Sequence, residues 1–342
     1  MKQIISACSP LEIAGLLEIK PFQGRQIFRW IHQKRIFDFH CMTDLPLPLR
    51  QRLCEEFTAT QILPIDTRLS QSTGTKKVLF QLMDGETIES VLIRDQERIT
   101  LCLSSQAGCA LKCAFCATGQ AGFRRHLEVH EIIEQALHLL REEDLEGRTP
   151  NIVYMGMGEP LRNYDAVMRS IRLLMEKDGL AIGARKITVS TAGEVPQIER
   201  FADEDWQVRL SISLHAANNP LRSKLVPINR KYPLERLRNA LDLYCSKTNR
   251  QITFEWTLLD GVNDSPEHAA ELLEYAQGLK AFVNIIPWNP VKGLPFKPAP
   301  IKRCEEFRNA LIAGGLQATL RQEKGQDIEA ACGQLRRIHI SR

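Results

Sequence analysis

The sequence has no long hydrophobic run: nothing in it approaches the roughly 18 consecutive apolar residues that a membrane helix needs. It also lacks the pattern of a secretory leader. Met1-Lys2-Gln3-Ile4-Ile5-Ser6 carries a charge, but Pro10 and Glu12 arrive before an apolar core can build. These two absences lead us to expect a cytoplasmic protein with no membrane partner. Low-complexity segments are missing as well, so a disordered or fibrous chain is excluded. Charge of one sign is scarce, with a net of +4. That balance permits nucleic-acid binding without demanding it, because such sites depend on clustered Lys and Arg rather than on a total.

What is present is an ordinary globular composition, 44% hydrophobic and 25% charged, over 342 residues, a length that suits two domains. Ten cysteines in a large chain of this type point to metal or redox chemistry rather than to a disulfide framework.

Residues 1–95 differ in pattern from residues 96–342. Helices are predicted over 10–20, 22–35 and 48–57; in the second, Phe22, Ile27, Trp30 and Ile31 can face inward while Arg25, Arg29, Lys34 and Arg35 stay wet. Strands follow at 64–71, 77–83 and 86–94, with Asp84-Gly85 as a hairpin turn, which makes a small α+β accessory unit. Beyond residue 98 the pattern becomes strand, loop, helix. Strands are predicted at 99–104, 151–157, 186–191, 207–214, 251–258 and 281–287, and helices at 129–142, 163–176, 233–246, 265–279 and 301–313. This alternation predicts an α/β fold of parallel βαβ units, six of which can close or partly close into a barrel.

The strands carry a further signal. Strands buried on both faces read as continuous apolar runs, yet here apolar and polar residues alternate. Leu101 and Leu103 oppose Cys102 and Ser104; Val189 opposes Ser190; Ile212 and Leu214 oppose Ser213 and His215; Phe254 and Trp256 oppose Glu255 and Thr257. If the apolar faces meet the helices, the polar faces line the lumen, which then holds a ligand instead of a packed core. A one-sided sheet with a solvated face is the competing reading.

Directly after the first of these strands comes Cys109-Ala110-Leu111-Lys112-Cys113-Ala114-Phe115-Cys116, a C-x3-C-x2-C spacing. Three thiolates can ligate three irons of a [4Fe–4S] cubane and leave the fourth iron open, able to chelate the amino and carboxylate groups of S-adenosylmethionine (SAM). Zinc is the alternative, since His126 or His130 can complete a Cys3His set.

Further motifs follow in order: Met155-Gly156-Met157-Gly158-Glu159-Pro160, Ser190-Thr191, Ser213-Leu214-His215-Ala216, Pro287-Trp288-Asn289-Pro290, and Gly325-Gln326-Asp327-Ile328-Glu329-Ala330-Ala331-Cys332-Gly333-Gln334-Leu335. Together with Cys102 and the cysteine nest, over essentially the whole chain, they make it resemble the RlmN-type adenosine C2-methyltransferases of the radical SAM superfamily.

The resemblance implies a partial (β/α)6 radical SAM barrel with a small N-terminal α+β accessory domain. It implies a [4Fe–4S] cluster on Cys109, Cys113 and Cys116, and two SAM molecules per turnover. It assigns Gly158, Glu159, Ser190, Ser213, Leu214, His215 and Asn289 to the SAM site. Cys332 is implied to be methylated by one SAM. A radical made from the second takes hydrogen from that methyl group, and the carbon adds to C2 of adenine, which has no lone pair of its own to accept a methyl group. Glu89 is implied to remove the C2 proton, and Cys102 to release the RNA as a Cys102–Cys332 disulfide forms. That last step needs the two α-carbons within about 7 Å.

Read without the resemblance, Glu89 is a solvated strand residue, and Cys8, Cys41, Cys54, Cys245 and Cys304 are small core residues. The implied substrates are an adenosine in the peptidyl-transferase centre of 23S rRNA and the adenosine 3′ of the tRNA anticodon, with an electron donor such as flavodoxin and a monomeric enzyme. Arg25, Arg29, Lys34, Arg35, Arg124 and Arg125 are candidate phosphate contacts. Three rivals stand beside this reading: the related C8-methylating branch, a zinc-bearing RNA-binding protein, and a radical SAM enzyme acting on another substrate.

Overall fold

The computed structural model describes residues 2–145, 147–321 and 326–328. In chain order its strands are β1 Gln3–Ile4, β2 Phe57–Thr58, β3 Leu63–Leu69, β4 Lys76–Gln81, β5 Thr87–Asp95, β6 Arg98–Cys102, β7 Gln106–Gly108, β8 Phe123–His126, β9 Asn151–Tyr154, β10 Ile187–Thr191, β11 Arg209–Ser213, β12 Ile252–Leu258, β13 Ala281–Pro287 and β14 Ala318–Leu320. The α-helices are α1 Pro10–Leu16, α2 Pro21–Phe28, α3 Leu47–Glu56, α4 Ala117–Ala121, α5 Val129–Leu140, α6 Tyr164–Met175, α7 Val195–Phe201, α8 Asn219–Leu225, α9 Leu234–Thr248, α10 Pro266–Ala276 and α11 Ile301–Ala313.

One ten-stranded sheet organises these elements, in the order β14-β13-β12-β11-β10-β9-β6-β5-β4-β3. From β6 through β9 to β14 every pairing is parallel, and each crossover carries at least one helix. The six predicted strands are all there, and β14 adds a seventh that its three residues were too few to announce. Among the described residues the sheet does not close; its edges are β14 and β3, so the fold is the expected partial barrel. The antiparallel strands β3, β4 and β5 continue the same sheet, because β5 pairs with β6 from Val91↔Cys102 to Asp95↔Arg98. The Asp84-Gly85 turn between β4 and β5 is present, with Gly85 at φ 84° and Asp84 accepting the Glu86 N–H.

The alternation in the strands has the predicted consequence. Leu101, Ile187, Val189, Leu210, Ile212, Phe254 and Trp256 are fully buried in the core, and the opposite faces carry the polar set. At 25 cal/mol per Å2, burying each large apolar side chain contributes about 2 kcal/mol, which drives the sheet against its helices.

The N-terminal elements are tied to this core through α5. Glu134, fully buried, accepts hydrogen bonds from Ser6 Oγ (2.7 Å), Thr60 Oγ (2.9 Å) and the N–H groups of Gln61 (2.7 Å) and Ile62 (3.0 Å). Four donors on one carboxylate meet the requirement that a buried charge be hydrogen-bonded.

Two details depart from expectation. Helix 22–35 is an α-helix only to Phe28 and continues as a π turn over Arg29–Gln33. Phe22 faces solvent, since the buried stripe is Gly24, Ile27, Phe28 and Ile31. It begins at Gly24 because α1 comes so close that a Cβ there would sit 2.2 Å from the Pro10 carbonyl. Helix 10–20 stops at Leu16, with Glu18 left-handed just beyond it. Among the described residues no helix is long and apolar enough to cross a membrane.

His32, fully buried, and His138, half-buried, make stability depend on pH. His32 stacks on Phe28 and bonds the Ser6 carbonyl, and burial pulls its pKa down to about 3. Burial, then the charge of Arg141, pulls His138 down to about 4. The unfolded chain therefore binds more protons below 6.5, and stability present above that pH is lost as pH falls toward 4. The loss should be about 1.4 kcal/mol per pH unit for each group. Thermal unfolding followed from about pH 6.5 to about pH 4.5 should show His138→Gln losing less stability than the native protein, by about 1.4 kcal/mol per pH unit.

Candidate functional site

A cavity of about 350 Å3 opens at the C-terminal ends of the parallel strands. Its walls carry Cys102 from β6, Ser190 and Thr191 from β10, Ser213 and His215 at the end of β11, Glu255 and Thr257 from β12, and Asn289 after β13. These are the polar faces of the alternating strands, so the lumen is a ligand chamber and the solvated-face reading is set aside. Val91 and Ile93 of β5, with Thr75 beside β4, complete the wall from the N-terminal strands.

Cys109, Cys113 and Cys116 line the same cavity. Their loop is held by backbone geometry. Gly108, at φ 80°, lets β7 approach β8 so closely that a Cβ would lie 1.9 Å from the Gly122 carbonyl. Cys109 N–H donates to that carbonyl (2.9 Å), and Ala114 N–H donates to Leu225 of α8 (2.9 Å). Phe115 meets His215 edge-on at 4.6 Å, and its carbonyl accepts the indole N–H of buried Trp288 (3.0 Å).

Burial, with Cys116 alongside, pushes Cys109 up to about 12, and Cys113 rises for the same reasons. Without a cationic group Cys109 and Cys113 stay protonated; a group that ligates them must displace those protons. The donor set suits an iron–sulfur cluster. It does not suit one zinc ion: neither His126, bonded to Gln106, nor His130, beside Glu128, lines the cavity. Among the described residues no three His, Cys, Asp or Glu side chains are placed to hold a single ion.

Glu159 lies at the cavity wall, fully buried. Its carboxylate accepts from the N–H groups of Ala192 (2.9 Å) and Leu161 (3.2 Å), yet burial still raises its pKa to about 7. A positive ligand group beside it would restore the charge. Gly156 and Gly158 make room first for the chain itself: a Cβ on Gly156 would meet Ser104 Oγ and the Leu103 backbone, and one on Gly158 the Gln106 side chain at 2.5 Å.

His215 adopts a left-handed backbone, φ 58°, a conformation that costs about 1–3 kcal/mol for a residue with a Cβ. Buried Asn263 holds it there, donating to the carbonyls of His215 (2.9 Å) and Thr257 (2.8 Å) and accepting from Leu259 N–H (2.8 Å). His215 Nδ1 accepts the Thr257 N–H (3.0 Å), so the ring proton is on Nε2. Burial, then the charge of Arg222, lowers its pKa to about 3, and the ring is neutral. Leu214, between two cavity residues, turns its side chain into the core and offers only backbone.

Glu89 is not solvated, contrary to its reading as an isolated strand residue. It is buried and ion-paired with Lys77 at 3.6 Å. By the two-residue period of a strand it shares a face with Val91 and Ile93, which line the cavity, though Glu89 itself is not on its wall. Cys332 lies outside the described residues. Asp327, five positions before it, accepts from Ser70 Oγ (2.7 Å) and Gln71 N–H (3.1 Å), next to the turn that ends at cavity-lining Thr75.

Most candidate phosphate contacts are engaged within the protein. Arg29 pairs with Asp178, Arg124 with Glu86, and Arg125 with Asp84 and Glu131; Lys34 lies over Trp30, and Arg35 reaches the Glu143 carbonyl. Of the five remaining cysteines Cys304 is buried as expected, but Cys41 is exposed. Sequence reasoning did not single out Arg222, Asn263 or Glu255 as site residues. Only the polar phase of β12 hinted at the last.

Residues 103–273 match the Radical SAM superfamily, and residues 14–59 match the ribosomal RNA large subunit methyltransferase N-terminal domain. The chain is 45% identical over 320 residues to a "Probable dual-specificity RNA methyltransferase RlmN" of Dictyoglomus thermophilum, covering 93% of this chain and 91% of the relative. It is 48% identical over 334 residues to a protein of the same description from Moorella thermoacetica, covering 95% and 94%. It is similar throughout to the crystal structure of a radical SAM methyltransferase from Sphaerobacter thermophilus, with a TM-score of 0.93 at 43% identity over 97% and 98% of the two chains.

Removing the amide that holds His215 should loosen the strand ends. Asn263→Ala leaves two carbonyls and one N–H unpaired in the core, and urea unfolding should show a loss of about 3 kcal/mol.

Proposed function

Because this chain belongs to the RlmN family of radical SAM methyltransferases, we propose that it methylates C2 of adenosine in 23S rRNA, in the peptidyl-transferase centre, and in tRNA, 3′ of the anticodon, with Cys332 as carrier of the methyl group. Membership of the superfamily brings a [4Fe–4S] cluster and SAM as cofactors. When bound, these supply a methyl group from one SAM and, after one-electron reduction, an adenosyl radical from a second.

The chain's own residues divide the remaining work. Cys109, Cys113 and Cys116 hold the cluster, and Glu159 takes the amino group of SAM. Gly158, Ser190, Ser213, Leu214, His215 and Asn289 enclose the rest of that ligand. Adenine C2 is electron-poor and offers no lone pair, so the methyl group must first be carried by a sulfur nucleophile. Cys332 accepts it. Glu89, fixed by Lys77, removes the C2 proton, and Cys102 attacks the Cys332 sulfur to free the product. The reading takes the enzyme as cytoplasmic and monomeric, with a one-electron donor such as flavodoxin.

The observation that carries it is Cys102, a thiol beyond the three that a cluster needs, on the wall of the same cavity. Further support comes from Asp327, whose bonds to Ser70 and Gln71 tie the segment leading to Cys332 to the N-terminal strands.

Cys102→Ala should leave RNA covalently attached to the protein after turnover, visible as a shifted band resistant to denaturation. Unimpaired turnover by this variant would overturn the role of Cys102. Digestion of RNA treated with the native enzyme should give 2-methyladenosine; 8-methyladenosine alone would overturn the choice of carbon. Asp327→Ala should keep its iron but lower the methylation of Cys332, read by protein mass spectrometry, by about tenfold or more.

A further inference from the structure

We infer that Arg222 is the fixed counter-charge of the cluster, a positioning residue whose guanidinium raises the cluster's reduction potential. The inference deepens the reading above, since it rests on Cys109, Cys113 and Cys116 as the cluster's ligands.

Arg222 lies in α8 and is fully buried. A charge in that position must be paired or saturated with hydrogen bonds. Its partners are all neutral. Nε donates to the Leu214 carbonyl (3.1 Å), Nη1 to Asn229 Oδ1 (2.9 Å), and Nη2 to the carbonyls of Ala192 (2.7 Å) and Ser213 (3.4 Å). No carboxylate of a described residue forms an ion pair with it. The carbonyl ring satisfies the donors but leaves the charge uncompensated.

The compensating charge is to be sought in the cysteine loop. Ala114 N–H donates to the Leu225 carbonyl at the end of α8, which fixes the helix against the loop between Cys113 and Cys116. Arg222 also donates to the carbonyls of Ala192 and Ser213, two residues on the wall of the cavity that Cys113 and Cys116 line, so the guanidinium stands directly behind that wall. Three thiolates on a dicationic four-iron core leave a net negative charge, and one-electron reduction makes it more negative. A buried guanidinium therefore stabilises the reduced state more than the oxidised one, which raises the potential. The same side chain ties the ends of β10 and β11 together, so its charge and its hydrogen bonds have separable effects.

The test is a redox titration of the reconstituted holoenzyme, followed by the paramagnetic signal of the reduced cluster. Arg222→Lys keeps the charge and loses the fork of hydrogen bonds; its potential should stay close to that of the native protein. Arg222→Gln removes the charge, and the potential should fall on the order of 59 mV, a tenfold shift in the one-electron equilibrium. If Arg222→Gln does not fold, Asn229→Asp decides the matter. It places a carboxylate against the guanidinium in a nearly identical shape, and the potential should fall likewise. Equal potentials in the native protein and a folded neutralising variant would overturn the inference. Absence of any four-iron signal from the native protein would instead overturn the ligand assignment on which it rests.

Discussion

Three thiols and a carboxyl group share one buried chamber at the ends of the parallel strands, and bringing four such groups out of water is the constraint around which the structure is arranged. Burial drives Cys109, Cys113 and Glu159 toward their neutral forms. The site can ionise only in the presence of positive charge, which the proposed function supplies as the cluster beside the sulfurs and an ammonium group beside Glu159. The protein adds what it can, with two backbone N–H groups on Glu159 and one fully buried side-chain cation, Arg222, in α8. The glycines around the nest serve the same end. They let β7, β8 and the Met155–Pro160 loop approach their neighbours more closely than any residue with a Cβ could.

The open sheet follows from what the chamber has to admit. A closed barrel would fill its lumen or seal it, whereas here the sheet passes β6 and continues into β5, β4 and β3. That extension brings Val91, Ile93 and Thr75 to the chamber wall, with buried Lys77 and Glu89 on the adjoining strands. The N-terminal strands are thus part of the wall as well as an appendage to it. Glu134, with four donors from the first 62 residues, fixes the approach of that region to α5.

Much of this was legible in the order of residues, for a definite reason. A strand's two-residue period records which face is buried, so alternating Leu210-Ser211-Ile212-Ser213 announced a polar lumen before any coordinates. Spacing recorded the nest equally well, because three ligands on one loop are local. What local pattern cannot record is the pairing of distant charges. Glu89 read as a solvated residue and Arg222 was not singled out, because their surroundings come from β4 and Met157 in one case and from α8, β10 and β11 in the other. Arg29 and Arg125 read as free cations for the same reason, and each turns out to hold a carboxylate of this chain. Phe22 failed differently: the helix phase was right, but a close backbone approach at Gly24 shifted the buried stripe away from it.

Of the two sulfurs that the proposed chemistry adds to the nest, only Cys102 lies among the described residues, and its placement bears on that chemistry. Cys102 is the last residue of β6 and is paired on both sides, with Val91 of β5 and Val153 of β9, so its α-carbon is fixed by two strands. Cys332 follows its nearest described anchor, Asp327, by five residues, which allows a span of at most about 18 Å. A disulfide between them requires α-carbons within about 7 Å. Since Cys102 cannot move toward its partner without breaking β-ladder hydrogen bonds, the whole of that requirement falls on the segment after Asp327. A methyl carrier must meet a donor, an adenine ring and a resolving thiol in turn. The Ser70–Asp327 contact sets a starting point for such a carrier beside the chamber's own wall, next to the turn that ends at Thr75.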